Sequence, residues 1–494
     1  MCVSKAKKVI VIGAGVGGLA TAIRLSLKGY SVEVFESNSY VGGKLSQINS
    51  NGFRFDAGPS LFTMPELVDE LFELANLNPR KYFNYYQLEE SCRYFYPDGT
   101  FLRGFSDIDK FAEESALQTG VSPVDVKNHL KKSAYIYDAT AFLFLEQSLH
   151  KLKTYFSFKV LKSFLKLPFL GLFSSMHSKN AKVLKNKKMT QLFDRYATYN
   201  GSNPYVAPSI LNIIPHLEFN KGAFFPKKGM YSISTSLFEL AQSLGVEFRL
   251  NTKVTKILVD NKKATGVEID EDKVMSDYVV SNLDVYFVYN TLLKTHKKPL
   301  KILKQERSTS ALIFYWGLNK SFENLDLHNI FFSDKYKAEF DALRDGKNIY
   351  HDPTVYVNIT SKKNKSDAPE GCENWFVMVN VPANTGQDWD SLISKTRTNI
   401  LQKLSKELQT NIESHILTEE ILEPRTIESK TASFQGALYG TASNNKSAAF
   451  FRHSNFSKDI SGLYFCGGSV HPGGGIPLAL SSAKIVDSFF QTLN

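Results

Sequence analysis

Six residues near the amino terminus, Gly13-Ala14-Gly15-Val16-Gly17-Gly18, have the types and spacing to hold a phosphate. Gly13 permits a tight turn and Gly15 lets the backbone come close to a pyrophosphate. Gly18 lets a following helix pack closely on the preceding strand. The helix that follows the loop offers free N–H groups and a positive dipole end at its N-terminus to the phosphates. Glu36 then stands where an acid accepts hydrogen bonds from a ribose hydroxyl, which argues against a 2′-phosphate and so against NADP. The chemistry is therefore the cradling of a dinucleotide.

The elements that must position these residues are present in order. Lys8–Ile12 reads as a short buried parallel strand, residues 19–28 as a helix ended by Gly29, and Ser31–Phe35 as a second strand that closes on Glu36. Farther on, residues 245–250, 252–259, 264–269 and 278–283 read as four short strands, with Val254 a buried strand residue. At the other end, residues 462–468 form a strand that runs into Gly467 and Gly468. The run Ser469-Val-His471-Pro-Gly473-Gly474-Gly475-Ile476-Pro477 follows. Residues 478–493 then read as an amphipathic helix with Pro477 near its first position. Consecutive glycines let a flat ring lie against the backbone, and the helix N-terminus stabilises negative charge on such a ring once it is reduced.

A chain of 494 residues exceeds one ordinary core and implies two or three domains. Hydrophobic residues at 43% against 22% charged make the bulk globular rather than disordered. The 37 Phe and 23 Tyr supply enough aromatic surface to line a long apolar cavity. Cysteines at 2, 92, 372 and 466 show neither CxxC spacing nor a disulfide framework, which suits free thiols in a reducing compartment. The amino terminus does not read as a signal peptide, and no stretch approaches the roughly 20 apolar residues of a membrane span. A place in the cytoplasm, or on the cytoplasmic face of a membrane, is expected. Residues 361–370 read as a solvated loop. There is no metal-ligand spacing and no Ser/His/Asp arrangement.

After Glu36 come Val41-Gly42-Gly43-Lys44 and then Gly52-Phe-Arg-Phe-Asp56-Ala-Gly58-Pro59. With the glycine loop, this resembles the amino-terminal signature of the FAD-binding amine oxidase and carotenoid desaturase superfamily, in which Lys44 replaces the usual arginine. The carboxy-terminal stretch GLYFCGGSVHPGGGIPLALSSAK is similar to that of bacterial carotenoid desaturases of the phytoene-desaturase type. Its Gly467-Gly-Ser-Val-His471 resembles the hydroxycarotenoid 3,4-desaturase branch. The segment from Arg195-Tyr-Ala-Thr-Tyr to Met230 extends the likeness over nearly the whole chain.

The resemblance implies FAD, held by Gly13, Gly15, Val16, Gly17, Gly18, Glu36, Gly43, Lys44, Asp56, Gly58, the Val254 backbone, Gly467, Gly468, Gly474, Gly475 and Ile476. Asp56 either orients the loop beside the cofactor or caps a turn. The implied fold is α/β, with a discontinuous Rossmann-like FAD-binding domain (1–90, 225–290 and 425–494) and an α+β substrate domain (91–224 and 291–424). The implied reaction removes two hydrogens from an acyclic, 1-hydroxylated carotenoid, and a quinone or dioxygen reoxidises the flavin. No general base stands out: His471, Arg195 and His453 are the catalytic candidates, and Tyr196, His216 and Glu218 lie in segments that resemble cavity-lining parts. Arg195, Tyr196 and His453 are also the candidates to bind the substrate's hydroxyl. A phytoene desaturase proper, a flavin amine oxidase and a non-enzymatic prenyl-binding escort protein share parts of this pattern.

The net charge of +10 has a local source. Between Gln147 and Phe193 there are ten lysines and no acid, interleaved with Phe and bulky aliphatic residues. This reads as a basic amphipathic helix broken at Pro168, of the kind that lies in a membrane interface without spanning it. An anionic membrane surface is thus the expected partner. Nucleic acid is not, because no motif of that class accompanies the lysines. A monotopic association suits a substrate that must pass directly from the bilayer.

Overall fold

The structure is a computed structural model that describes residues 6–156, 160, 170–171, 173–444 and 451–493. One layer is a five-stranded, all-parallel sheet in the order Leu463–Phe465, Tyr278–Ser281, Lys8–Ile12, Ser31–Phe35, Glu247–Arg249. Its central strand is apolar on both faces, and Val9, Ile10 and Val11 have no exposed surface. That is the pattern of a parallel strand covered on both sides. The helix Val16–Leu27 begins earlier than the sequence suggests, at the glycine loop itself, and packs against the carboxy-terminal helix Ile476–Asp487. These strands come from all three segments assigned to the nucleotide domain, so the sheet joins chain ends far apart in sequence.

A second, seven-stranded sheet has the order Ile416–Leu422, Ser310–Leu318, Glu373–Val381, Val355–Asn358, His328–Phe331, Glu90–Phe95, Phe101–Phe105. Its pairs are antiparallel except His328–Phe331 with Glu90–Phe95. One face packs Trp316, Trp375 and Val377 into an apolar core. The other face turns Ile313, Ile330, Tyr356, Phe376 and Met378 toward a cavity. The architecture is mixed α/β.

Three expectations about elements are corrected. Val254 is buried but precedes the strand Lys256–Asp260, because residues 251–255 approach the sheet as irregular chain. A further strand, Asp272–Met275, completes an antiparallel three-stranded sheet with Lys256–Asp260 and Lys263–Ile269. Residues 361–370 are not a solvated loop throughout. They contribute to the short 3-10 turns Thr360–Lys362 and Lys365–Asp367, and Asp367 is fully buried against Thr360, Asn364 and Arg54.

The basic segment 147–193 divides. Residues 157–159, 161–169 and 172 lie outside the described residues, and with them much of the expected amphipathic helix and its break at Pro168. The helices Met176–Leu184 and Lys187–Asp194 are described. Their apolar residues Met176, Leu184, Met189, Leu192 and Phe193 pack into a buried core, so this half of the segment serves the fold rather than a lipid surface. Phe156 and Phe173 are exposed. Among the described residues no helix is long and apolar enough to cross a membrane.

Candidate active site

A single cavity of about 1490 Å³ runs from the glycine loop to the inner face of the seven-stranded sheet. It exceeds the roughly 300–1,000 Å³ of an ordinary ligand pocket, so it has room for a cofactor and a second molecule. At one end three chain segments converge on the glycine loop. Gly13 takes a positive φ of 96°, and its N–H donates to the Phe35 carbonyl at 2.8 Å. The Asn282 side chain donates to the Cys466 carbonyl at 3.3 Å and wedges against the loop. A Cβ on Gly15 would sit 2.5 Å from Asn282 Oδ1, and one on Gly17 would sit 3.1 Å from the Gly467 Cα. This backbone is bare because the space beside it is taken or needed. Gly18 does not line the cavity: its Cβ would lie 2.1 Å from the Gly13 carbonyl oxygen, which makes it the contact between helix and strand.

Glu36 is buried on the cavity wall. Its Oε2 accepts from the Ala14 N–H at 2.8 Å, and its Oε1 accepts from the Asn38 backbone and side-chain amides at 2.9 and 2.8 Å. The acid thus holds the loop in shape as well as facing a ligand. Gly43, Gly58 and the Val254 backbone are on the same wall. Lys44 is there too, and its Nζ donates to the carbonyls of Ala437 and Leu438 at 3.3 and 3.0 Å. Burial pushes its ammonium down to about 8, and Asp284 opposes the shift. Arg307 pairs with Asp284 at 3.5 Å. Arg452, pushed down to about 10 by burial and the Arg307 charge, donates to the carbonyls of Tyr439 and Thr441. Two of these cations, Lys44 and Arg452, line the cavity, as does Asp284. Sequence reasoning singled out neither Arg307 nor Arg452; Asp284 closes a Val-Ser-Asn-x-Asp stretch that resembles the superfamily.

The carboxy-terminal loop places Gly467, Gly468, Gly474, Gly475 and Ile476 on the cavity wall at the start of the helix Ile476–Asp487. Gly474 packs so closely on Tyr439 that a Cβ would lie 2.6 Å from its Cα.

Several candidates are placed elsewhere. Asp56 is off the wall: it accepts from the N–H groups of Met230 and Tyr231, at the start of the helix Tyr231–Ser243, and from Arg54. The capping role accounts for it. His471 lies behind the glycines, its Nε2 on the Gln147 carbonyl at 2.9 Å and its backbone N–H on the His453 carbonyl. His453 bonds Tyr289 and the Ser454 carbonyl. Burial pushes both imidazoles down to about 4, so they are neutral, and neither lines the cavity. Their hydrogen bonds go to Tyr289 and to backbone carbonyls. Tyr196, His216 and Glu218 are buried beside the wall but do not form it.

Arg195 does line the cavity, beside the seven-stranded sheet, where it bonds Tyr94. It donates to Tyr199 Oη at 3.0 Å and to Tyr94 Oη at 3.4 Å, and lies over the rings of Tyr94, Tyr196 and Tyr199. Around it the wall is apolar, with Phe144, Leu211, Ile214, Leu217, Ile330 and Phe376. Two polar wall residues there carried no sequence signal, His328 and Tyr356. Each is one residue in a short strand.

The family model for flavin-containing amine oxidoreductases matches residues 16–486. The chain belongs to this family. Within it, the chain is 52% identical, over 99% of its own length and all of the relative's, to a 1-hydroxycarotenoid 3,4-desaturase of Flavobacterium sp. (strain P99-3). It is 32% identical over 97% of both chains to a 4,4'-diapolycopene oxygenase of Methylomonas sp. The fold is shared with an oxidoreductase from Methanosarcina mazei, with a TM-score of 0.64 at 17% identity over 97% of this chain and all of that one. The flavin of this family fits the cradle. The bare backbone at Gly15, Gly17 and Gly43 would take its pyrophosphate, Glu36 its ribose, and the Gly467–Gly475 loop its flat ring.

Proposed function

We propose that this flavoprotein is an FAD-dependent carotenoid desaturase that removes two hydrogens across C3–C4 at an acyclic end carrying a tertiary hydroxyl at C1. The observation that carries this reading is the 52% identity, over essentially the full length of both chains, to a 1-hydroxycarotenoid 3,4-desaturase. The long cavity supports it, because its far half is lined by aliphatic and aromatic side chains that suit a polyene. Bound FAD supplies the two-electron acceptor for the dehydrogenation. The protein's part is to fix the substrate and exclude water. The glycine loop and Glu36 anchor the dinucleotide, Lys44 and Arg452 bring positive charge to the wall, and the apolar sheet face aligns the chain of the substrate. The two sheets divide the work as a nucleotide-binding domain and a substrate domain.

Expression in bacteria that accumulate defined precursors tests the reading, with the pigments separated and weighed by mass spectrometry. A 1-hydroxylated carotenoid should lose two hydrogens. A gain of oxygen would instead favour the chemistry named for the 32% identical Methylomonas relative.

The membrane surface is a further part of the proposal. Exposed Phe156 and Phe173 flank the lysine-rich stretch, and a substrate insoluble in water needs direct passage from the bilayer. The enzyme then works as a peripheral, monotopic protein on the cytoplasmic side. Lysines near an anionic surface contribute about 1 kcal/mol each. A quinone or dioxygen takes the electrons onward, and oxygen uptake with and without added quinone distinguishes the two.

A further inference from the structure

The substrate end of the cavity holds a group of polar side chains whose hydrogen bonds are incomplete. Arg195 is buried, with 6% of its surface exposed, and its Nε has no partner. Among the described residues it reaches a carboxylate only through the Tyr199 hydroxyl, which donates to Glu218 Oε2 at 3.0 Å; Glu218 Oε1 is itself unpartnered. A buried cation with spare donors is costly unless something completes its shell.

A second polar group stands on the sheet face. Ser60 Oγ and Tyr356 Oη are 2.7 Å apart, and Tyr356 Oη is 2.7 Å from His328 Nδ1. The Asn358 amide nitrogen, which donates to the Leu327 carbonyl, also lies 3.2 Å from His328 Nδ1. Nδ1 is therefore the acceptor, and the ring carries its proton on Nε2, which has no partner. With Nδ1 accepting, Tyr356 donates its proton to the ring and Ser60 donates to Tyr356. Oxygen lone pairs on Ser60 and Tyr356 remain free to accept. The two groups are neighbours on the sheet: Tyr94, whose hydroxyl accepts from Arg195, pairs with Ile330, and Ile330 pairs with Tyr356 on its other side. Arg195, Tyr199, Ser60, His328 and Tyr356 all line the cavity, together with apolar residues that include Ile313, Ile330, Phe376 and Met378.

We infer that these two groups form a clamp for one hydroxyl of the substrate, with Arg195 donating to its oxygen and the Ser60–Tyr356 pair accepting its proton. The inference rests on the reading above, that the substrate is a hydroxylated carotenoid, and names the residues that recognise the hydroxyl. An alcohol is suited because it is donor and acceptor at once and neutral. A hydrocarbon end would displace water from Arg195 and leave the clamp unpaired, which is how a polar site rejects an analogue that lacks the group.

The test uses the holoenzyme with a 1-hydroxylated acyclic carotenoid and its unhydroxylated counterpart, both in liposomes. Quenching of flavin fluorescence gives the two dissociation constants, and turnover gives the two kcat/KM values. The wild type should prefer the hydroxylated compound in both. Tyr356→Phe should cut that preference by roughly three- to tenfold, as expected for one neutral hydrogen bond. Arg195→Leu should cut it by roughly ten- to a hundredfold, as for a charged donor. Should either variant purify without flavin, Ser60→Ala, which removes one hydroxyl from the cavity wall, should give a drop like that of Tyr356→Phe. No preference in the wild type overturns the hydroxylated-substrate reading itself. A wild-type preference that survives in Ser60→Ala and the folded variants overturns the clamp and leaves that reading intact.

Discussion

The two ends of the cavity are built on opposite principles. At the nucleotide end recognition is done by backbone. Glycines leave the backbone bare, and an acid, Glu36, braces the loop through Ala14 and Asn38. At the sheet end the wall is made of side chains, many of them apolar, and polar atoms such as Arg195 Nε and His328 Nε2 have no hydrogen-bond partner. At the first end the glycines have no room for a side chain beside Asn282, Gly467 and the Gly13 carbonyl. The second can change its chemistry by one side chain while the sheet beneath it stays the same. The difference teaches where this fold has room for variation: close backbone packing at the glycine loop leaves little, and the side chains of the sheet face leave more.

The comparison predicts its largest effect at Gly18. Gly18→Val puts a side chain 2.1 Å from the Gly13 carbonyl oxygen, between a helix and a strand that cannot separate. The expected cost is about 3 kcal/mol or more. Purified protein should be colourless or insoluble, with a lowered melting temperature; a yellow, stable variant would show that the loop is pliant.

Glu36→Ala comes next. It removes the acceptor of two backbone N–H groups and, on the proposed reading, a ribose ligand. FAD affinity should fall by about 1.5–3 kcal/mol per charged hydrogen bond lost, and the apoprotein should also be less stable. Equilibrium dialysis and thermal melts of both forms separate the two effects. Undiminished FAD after dialysis would remove Glu36 from the ribose site.

How much of this was legible depends on what each residue is asked to do. The glycine loop and its acid can be read because a phosphate demands bare backbone at fixed spacing, and the structure places Gly13, Gly15, Gly17 and Glu36 on one wall. Asp56 is ambiguous for a physical reason: an acid that caps a helix and an acid beside a cofactor look alike in sequence. His471 sits inside a glycine loop yet turns back to the Gln147 carbonyl, a direction set by tertiary packing. His328 and Tyr356 carry no signal because a strand gives each residue a face but not a neighbour. Ser60 and Tyr356 are joined only when the sheet meets the loop after Asp56. Asp367 is hidden in a run that looks solvated, because its partners Thr360 and Arg54 include one far away in sequence.

The pH dependence sharpens the contrast more gently. Burial lowers His129, His453 and His471 from 6.5 to about 4 and His328 to about 3. Between pH 6.5 and 4 the unfolded chain binds protons that the folded chain refuses, so stability falls as the pH falls through that window. Above pH 7 these groups contribute no slope. Urea unfolding midpoints across pH 4–8 should show this, and His471→Asn should flatten the curve by about one proton at most; an unchanged curve would contradict the burial of that ring.

The smallest effect is expected outside the cavity. Neutralising the lysines at 151–166 should release the protein from anionic liposomes at low salt and leave flavin content unaltered. Lys179, Lys182, Lys187 and Lys188 belong to helices packed on the core, and changing them should weaken binding less. Wild-type protein that stays in the supernatant with acidic lipid would end the membrane proposal.

The central claim is that one cavity brings a flavin and a hydroxylated polyene together. Anaerobic mixing of the holoenzyme with a 1-hydroxylated acyclic carotenoid, followed by absorption, tests it directly. The flavin band should bleach as the polyene band moves to longer wavelength, at the same rate and in a one-to-one ratio. A polyene that shifts while the flavin stays oxidised, or a flavin that bleaches with no change in the polyene, would contradict the account.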